Sequence, residues 1–116
     1  MEFEVIFYDK PDGTEPAREF IDSLDAKMQA KVLREIAFLG ANGPELREPY
    51  SKAIGDNIFE LRAKVGSDIS RVLYFFFVGR KIILTNGFIK KSAKTPRGEK
   101  EKAIKYQAEY MSREGI

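Results

Sequence analysis

The 116-residue sequence contains neither cysteine nor histidine, and each absence narrows the chemistry open to the chain. Without cysteine there is no disulfide framework and no thiolate ligand for a metal, which is consistent with a reducing compartment. Without histidine the chain lacks the side chain that most often serves as general base, metal ligand or partner of a catalytic serine. Those common catalytic arrangements are therefore excluded.

Long apolar runs are also missing, so no segment approaches the length needed to cross a bilayer. The first ten residues, MEFEVIFYDK, are charged and strand-like, which is unlike a signal peptide. A chain of this length suits one domain with one sizeable core. We therefore expect a cytoplasmic, soluble protein with a single domain over residues 1–116 and no membrane contact.

The net charge is only +2, but the two halves of the chain differ in sign. Residues 1–57 carry seven Lys or Arg against twelve Asp or Glu, a net charge of −5. Residues 58–116 carry thirteen against six, a net charge of +7. This asymmetry suggests a polyanionic partner for the C-terminal half, although a solvated basic helix would give the same count. The acidic residues lack the spacing of metal ligands, so we predict no metal and no cofactor.

The first half of the sequence predicts one strand and two helices. Residues 3–8, FEVIFY, are β-branched and aromatic and end at a Pro-Asp-Gly turn, which is typical of a strand. Pro16 suits the first turn of a helix, and Asp25 suits the cap of a second one. Apolar residues recur at helical spacing in both segments, so we expect a helix hairpin that covers one side of a sheet.

The second half predicts three strands and a last helix. Residues 45–57 look like a loop, whereas residues 58–65 alternate, with Glu60, Arg62 and Lys64 on one face. Residues 69–78 are nearly all apolar and predict a central strand, and residues 81–89 predict its antiparallel neighbour. Thr95 suits the cap of the final helix. The order β-α-α-β-β-β-α indicates an α+β fold with a mostly antiparallel sheet.

The last predicted strand runs into an unusual concentration of positive charge. Residues 87–96 read GFIKKSAKTP and contain Lys90, Lys91 and Lys94, with Arg97 directly after them. Like charges repel, so this grouping does not stabilise the fold. No acidic residue lies near them in sequence before Glu99, and we therefore expect the cations to face a partner outside the protein.

Three motifs of the C-terminal half occur in an order and spacing known from other proteins. They are E-L-R at 60–62, R-V-L-Y-F-F at 71–76 and G-F-x-K-K-x-x-K-T-P at 87–96. With them the sequence resembles the RelE/HigB-like toxins of bacterial toxin–antitoxin pairs, and in particular the phage-related HigB branch. The resemblance covers most of the chain and is strongest from about Leu46 to Tyr110.

The resemblance implies both an activity and partners. It implies an mRNA interferase with a RelE-like fold, that is, an endoribonuclease that cleaves messenger RNA on the ribosome and so inhibits translation. It also implies a cognate helix-turn-helix antitoxin, similar to HigA, which holds the toxin inactive in a hetero-oligomer. Codon preference and the manner of neutralisation do not follow from the resemblance.

Ribonucleases of this type activate a ribose 2′-hydroxyl to attack the adjacent phosphate without a metal. Charge on the phosphate oxygens must be stabilised, and Arg62 and Arg71 are the best candidates because arginine stays charged and binds phosphate in a bidentate manner. For proton transfer we expect Lys91 and Lys94, since neighbouring cations lower the pKa of a lysine towards neutrality.

Five further residues complete the candidate set. Lys90, Lys64 and Arg97 are expected to position RNA. Glu60 is an alternative base, although a simple ion pair with a neighbouring cation explains it better. Tyr74 could stack on a nucleobase, but its place in an apolar strand favours a position in the core.

A second class of function uses the same scaffold without catalysis. A toxin of the ParE type inhibits DNA gyrase, and a phage-derived binder could block translation directly. A binder does not require the four catalytic candidates to converge, whereas a ribonuclease requires all of them to reach one phosphate. Convergence of these cations is therefore the observation that separates the two classes.

Overall fold

A computed structural model describes residues 2–90 and 95–115, with only the backbone described at Lys90. The fold is α+β, as predicted, with five strands and three α-helices in the described part of the chain. In chain order the elements are β1 (Glu4–Phe7), α1 (Pro16–Asp22), α2 (Ala26–Asn42), β2 (Ser51–Gly55), β3 (Ile58–Val65), β4 (Asp68–Phe77), β5 (Lys81–Lys90) and α3 (Arg97–Arg113).

All five strands form one sheet in the order β1-β5-β4-β3-β2. The β2–β3, β3–β4 and β4–β5 pairs are antiparallel, whereas β1 pairs with β5 in parallel. The sheet is therefore mostly antiparallel, as predicted. β4 lies in the middle and is buried along most of its length, which explains its nearly continuous apolar sequence.

The helices lie on both faces of the sheet. α1 and α2 cover one face, where Leu61 and Ala63 of β3 join the larger apolar core. α3 covers part of the other face, where its buried residues Ala103 and Tyr110 pack against Leu73 and Phe75 of β4. The alternation predicted for residues 58–65 is confirmed. Glu60, Arg62 and Lys64 consequently belong to the face on which α3 packs.

The strand β2 was not predicted, because residues 45–57 were expected to form a loop. The sequence SKAIG has no aromatic residue and one β-branched residue, so its local preference for a strand is weak. Its backbone nevertheless pairs with β3, with Ser51 opposite Leu61. Short strands of this kind at a sheet edge depend on their neighbour rather than on their own propensity. The predicted order β-α-α-β-β-β-α therefore lacks one strand.

Two predicted helix starts are confirmed. Pro16 is the first residue of α1, where its missing N–H is not needed. The carboxylate of Asp25 accepts a hydrogen bond of 2.9 Å from the backbone N–H of Met28 at the start of α2. In the part of the chain that the structure describes, no helix is long and apolar enough to cross a membrane.

Gly87 of β5 lies directly against the ring of Phe20 in α1. A methyl group at this position would overlap three ring atoms, so we expect Gly87→Ala to lower the free energy of unfolding by about 1–3 kcal/mol, measured by urea denaturation. Gly98→Ala in α3 is the matched control, because nothing lies within 4 Å of its added methyl group. Equal stability of the two variants would contradict this packing.

Candidate functional site

Two arginines of neighbouring strands lie side by side on the face of the sheet that α3 covers only in part. Arg62 of β3 and Arg71 of β4 are directly opposite each other in the antiparallel ladder. Residues opposite each other in a sheet share a face, and two like charges in this position are destabilising. The pair therefore requires a compensating charge nearby.

Glu60 supplies that charge. Its Oε1 atom lies 3.3 Å from Nε of Arg62 and 3.4 Å from Nη1 of Arg71. Glu60 is fully buried, with an exposed fraction of 0%. Removal of a carboxylate from water is costly, so its retention indicates that these ion pairs fix the two guanidinium groups in place. The ion-pair interpretation of Glu60 therefore fits the structure better than a role as base.

The second oxygen of the Glu60 carboxylate accepts a hydrogen bond from a residue far away in the sequence. The hydroxyl of Thr95 donates a hydrogen bond of 2.7 Å to Oε2 of Glu60. The prediction that Thr95 caps α3 is wrong, because Pro96 occupies the cap position and α3 begins at Arg97. Thr95 instead ties the entry to α3 to the arginine pair, a role that no spacing in the sequence indicates.

Arg71 has buried donor atoms that form no hydrogen bond with the described residues. It is 6% exposed, and its Nε and Nη1 atoms have no hydrogen-bond partner among the residues that the structure describes. Burial lowers the pKa of Arg71, Glu60 raises it, and the positive charge of Arg62 lowers it further. A guanidinium group keeps its proton under such conditions. Nη1 faces the carboxylate of Glu60, so Nε is the buried donor of Arg71 that is left to suit an anion.

Both arginines line a cleft of about 310 Å³ at the edge of the sheet, which we call the basic cleft. α2 and the segment that precedes β2 form its other walls. The lining residues are Lys31, Glu35, Pro49, Tyr50, Arg62, Lys64, Ile69 and Arg71. Four of the eight are cationic and one is acidic, so the basic cleft suits a negatively charged ligand.

Comparison with known families gives one match. Residues 19–107 match the model of the family described as Phage derived protein Gp49-like. The chain belongs to this family. The Gp49-like family is one of the RelE/HigB-like toxin families, so the resemblance found in the sequence is confirmed at that level, and an antitoxin partner is implied in general. A comparison with curated proteins finds no match.

The structure of this Gp49-like protein brings some predicted site residues together. Arg62, Arg71 and Lys64 line one cleft, and Glu60 joins the two arginines. The backbone of Lys90 ends β5 opposite Ile69, which also lines the basic cleft. Lys91 and Lys94 lie outside the described residues.

Two other candidates occupy different surroundings. The side chain of Arg97 is 94% exposed and forms an ion pair of 2.9 Å with Glu101 along α3. Tyr74 is buried in the core beneath α1 and α2, where its hydroxyl bonds to Ser51, and burial raises its pKa to about 12. Tyr74 thus lies on the opposite face of the sheet from Arg62 and Arg71, and the core interpretation replaces base stacking.

Among the lining residues that sequence reasoning missed, three carry polar side chains. Lys31 and Glu35 lie beside the apolar stripe of α2, and Tyr50 lies in the segment that was interpreted only as a loop. Their sequence positions are 10 or more residues away from the arginine motifs. The packing of α2 against β3 places Lys31 and Glu35 at the cleft. Tyr50 is placed there by the backbone N–H of Arg62, which donates a hydrogen bond of 2.8 Å to the carbonyl of Tyr50, so no local pattern could have indicated these residues.

Among residues 2–90 and 95–115, no group of three or more acidic side chains is placed to hold a metal ion. The basic cleft presents fixed cations, among them the buried Arg71, whose Nε has no hydrogen-bond partner among the described residues. Such an arrangement binds phosphate and stabilises negative charge that develops on its oxygens.

Proposed function

We propose that this Gp49-like protein is the toxin of a toxin–antitoxin pair and belongs to the phage-related HigB branch. In this proposal it is a cytoplasmic mRNA interferase that cleaves messenger RNA on the ribosome and so stops translation. The observation that carries the proposal is the pair of arginines, Arg62 and Arg71, held together by a buried glutamate at the wall of the basic cleft.

Arg62 and Arg71 are assigned to the scissile phosphate. The 2′-oxygen of the ribose attacks the neighbouring phosphorus, a new P–O bond forms, and the bond from phosphorus to the 5′-oxygen breaks. Negative charge accumulates on the non-bridging oxygens during this step. The guanidinium groups of the buried Arg71 and the half-buried Arg62 are assigned to this charge.

Proton transfer is assigned to Lys91 and Lys94, which lie outside the described residues. The chain enters their segment at Lys90, opposite Ile69, and leaves it at Thr95, which is bonded to Glu60. Both ends of this short segment are thus anchored beside the arginine pair, and each residue adds at most about 3.6 Å of reach. One lysine removes the 2′ proton, and the other protonates the leaving 5′-oxygen.

The remaining cations are assigned to RNA binding, namely Lys64, which lines the basic cleft, Lys90 and Arg97. We further propose a helix-turn-helix antitoxin, similar to HigA, that forms a hetero-oligomer with the toxin. A positive cleft of this kind gives such an antitoxin, or the RNA it competes with, a complementary surface.

Toeprinting on translating ribosomes tests the activity directly. We expect the purified protein to produce cuts within the ribosomal A site, and to leave the same mRNA intact when ribosomes are omitted. Addition of the cognate antitoxin should abolish the cuts. A parallel supercoiling assay with DNA gyrase serves as control. Gyrase arrest without any cut in the RNA would overturn the proposal and support a ParE-type inhibitor.

A further inference from the structure

Glu35 is a buried carboxylate that the proposed chemistry does not use. It lies in α2, its side chain is 6% exposed, and it lines the basic cleft. Its Oε1 atom lies 3.5 Å from Nζ of Lys31, whereas Oε2 has no hydrogen-bond partner among the described residues. A buried acceptor without a donor costs free energy, so a ligand that brings an N–H group would recover it.

Tyr50 forms another wall of the same cleft. The residue is 42% exposed, and its ring lies edge-on against Phe38 at a centroid distance of 5.3 Å. An exposed ring that is fixed by a neighbour is a ready surface for a planar ligand. Proteins that bind single-stranded RNA use aromatic rings in this way, and they read the edge of the stacked base with polar side chains.

We propose that the basic cleft contains a nucleobase subsite, in which Tyr50 stacks on one base and Glu35 reads its edge. This inference rests on the proposed function, because it identifies the base as part of the cleaved RNA. A cleft of about 310 Å³ is at the small end of ligand sites, which suits a single nucleotide. Since Arg62 and Arg71 line the cleft, the base belongs to a nucleotide next to the scissile phosphate.

The chemistry of Glu35 determines which bases fit. An ionised carboxylate only accepts hydrogen bonds, so it requires a base with N–H groups at the edge presented to it. Adenine, cytosine and guanine each carry an exocyclic amino group. Uracil has no amino group and offers a single N–H, at N3, between two carbonyl oxygens. A carboxylate that accepts from this N–H therefore lies close to oxygen lone pairs, which repel it. The subsite therefore selects the three amino-bearing bases against uracil.

The test uses ribosomes whose A site holds an mRNA with a 2′-deoxyribose at the cleavage position, so that binding is measured without cleavage. Each nucleotide flanking the scissile phosphate is replaced by each of the four bases. At one of the two positions we expect the wild-type protein to bind adenine, cytosine and guanine about tenfold more tightly than uracil. Equal affinity for all four bases at both positions would overturn the subsite.

Glu35→Gln provides the decisive variant, because an amide can also donate to a uracil carbonyl. We expect the tenfold selectivity to fall to about twofold, while the exposed Glu19→Gln of α1 keeps it. Unchanged base selectivity in Glu35→Gln would contradict the inference. It would also be contradicted if Glu35→Gln lost affinity for the antitoxin and nothing else, because the cleft would then bind a side chain of that partner.

Tyr50→Ala keeps the inference testable if Glu35→Gln does not fold, because Tyr50 is exposed. We expect it to weaken binding roughly 5- to 100-fold for all bases, whereas Tyr50→Phe should bind as the wild type does. Wild-type affinity of Tyr50→Ala would exclude stacking. The proposed nuclease activity is tested separately, because it requires cuts in unmodified mRNA. The base-binding measurement does not depend on cleavage, so either proposal can fail without the other.

Discussion

Arg62→Ala is expected to reduce the rate of mRNA cleavage on the ribosome by about 10²–10³-fold, the loss typical of removing one preorganised donor from a charged transition state. The guanidinium of Arg62 is one of two that lie opposite each other in the β3–β4 ladder, and it is the more exposed one. Its removal leaves the Glu60–Arg71 ion pair intact. We therefore expect the fold to survive and growth inhibition in cells to be relieved.

The matched control is Arg34→Ala, since Arg34 is an exposed arginine of α2 that does not line the basic cleft. It changes net charge by the same amount and should cleave at the wild-type rate. Arg62→Lys should recover only part of the activity, because an ammonium group cannot form the bidentate contact with phosphate. If Arg62→Ala cleaves mRNA as fast as Arg34→Ala, the assignment of the arginine pair to the phosphate is wrong.

The sequence predicts the central part of this fold well because the signals there are local. The alternation of β3 and the apolar run of β4 each follow from burial, on one face and on both faces respectively. Asp25 was recognised as a cap because its partner, the N–H of Met28, lies three residues away. β2 was missed because it depends on pairing with β3 and not on its own residues.

The candidate site likewise contains residues that local sequence signals predict and residues that only tertiary packing brings in. Arg62 and Arg71 could be placed together because a tight turn between two antiparallel strands fixes their register. The bond from Thr95 to Glu60 spans 35 residues. Glu35 reaches the basic cleft through the packing of α2, and Tyr50 reaches it through a backbone hydrogen bond with Arg62. Contacts of this kind arise from tertiary structure, and no periodicity in the sequence records them.

Glu60 connects the stability of the fold to the proposed chemistry. One of its oxygens pairs with both arginines, and the other accepts the hydroxyl of Thr95 at the entry to α3. The same carboxylate therefore holds the phosphate-binding cations and anchors one end of the segment that contains the proposed acid and base. Loss of Glu60 should disturb both, even though it does not touch the substrate.

Glu60→Ala is accordingly expected to lower the free energy of unfolding by about 3–5 kcal/mol, because it leaves the buried guanidinium of Arg71 without its counter-charge. Arg71→Ala should lower the free energy of unfolding by a similar amount. In this variant the carboxylate of Glu60 stays buried and has lost one of its cationic partners. Urea denaturation measures both, and the milder Glu60→Gln should change stability in the same direction if the alanine variants are too unstable to purify.

The double variant Glu60→Leu/Arg71→Met separates stability from catalysis. Hydrophobic replacements of similar volume remove both buried charges at once, so its loss of stability should be much smaller than the sum of the losses of Glu60→Leu and Arg71→Met made singly. Its cleavage activity should nevertheless remain as low as that of Arg71→Ala, because the phosphate has lost a donor. A double variant whose destabilisation equals the sum would show that Glu60 and Arg71 act independently. A double variant that cleaves normally would remove Arg71 from the proposed site.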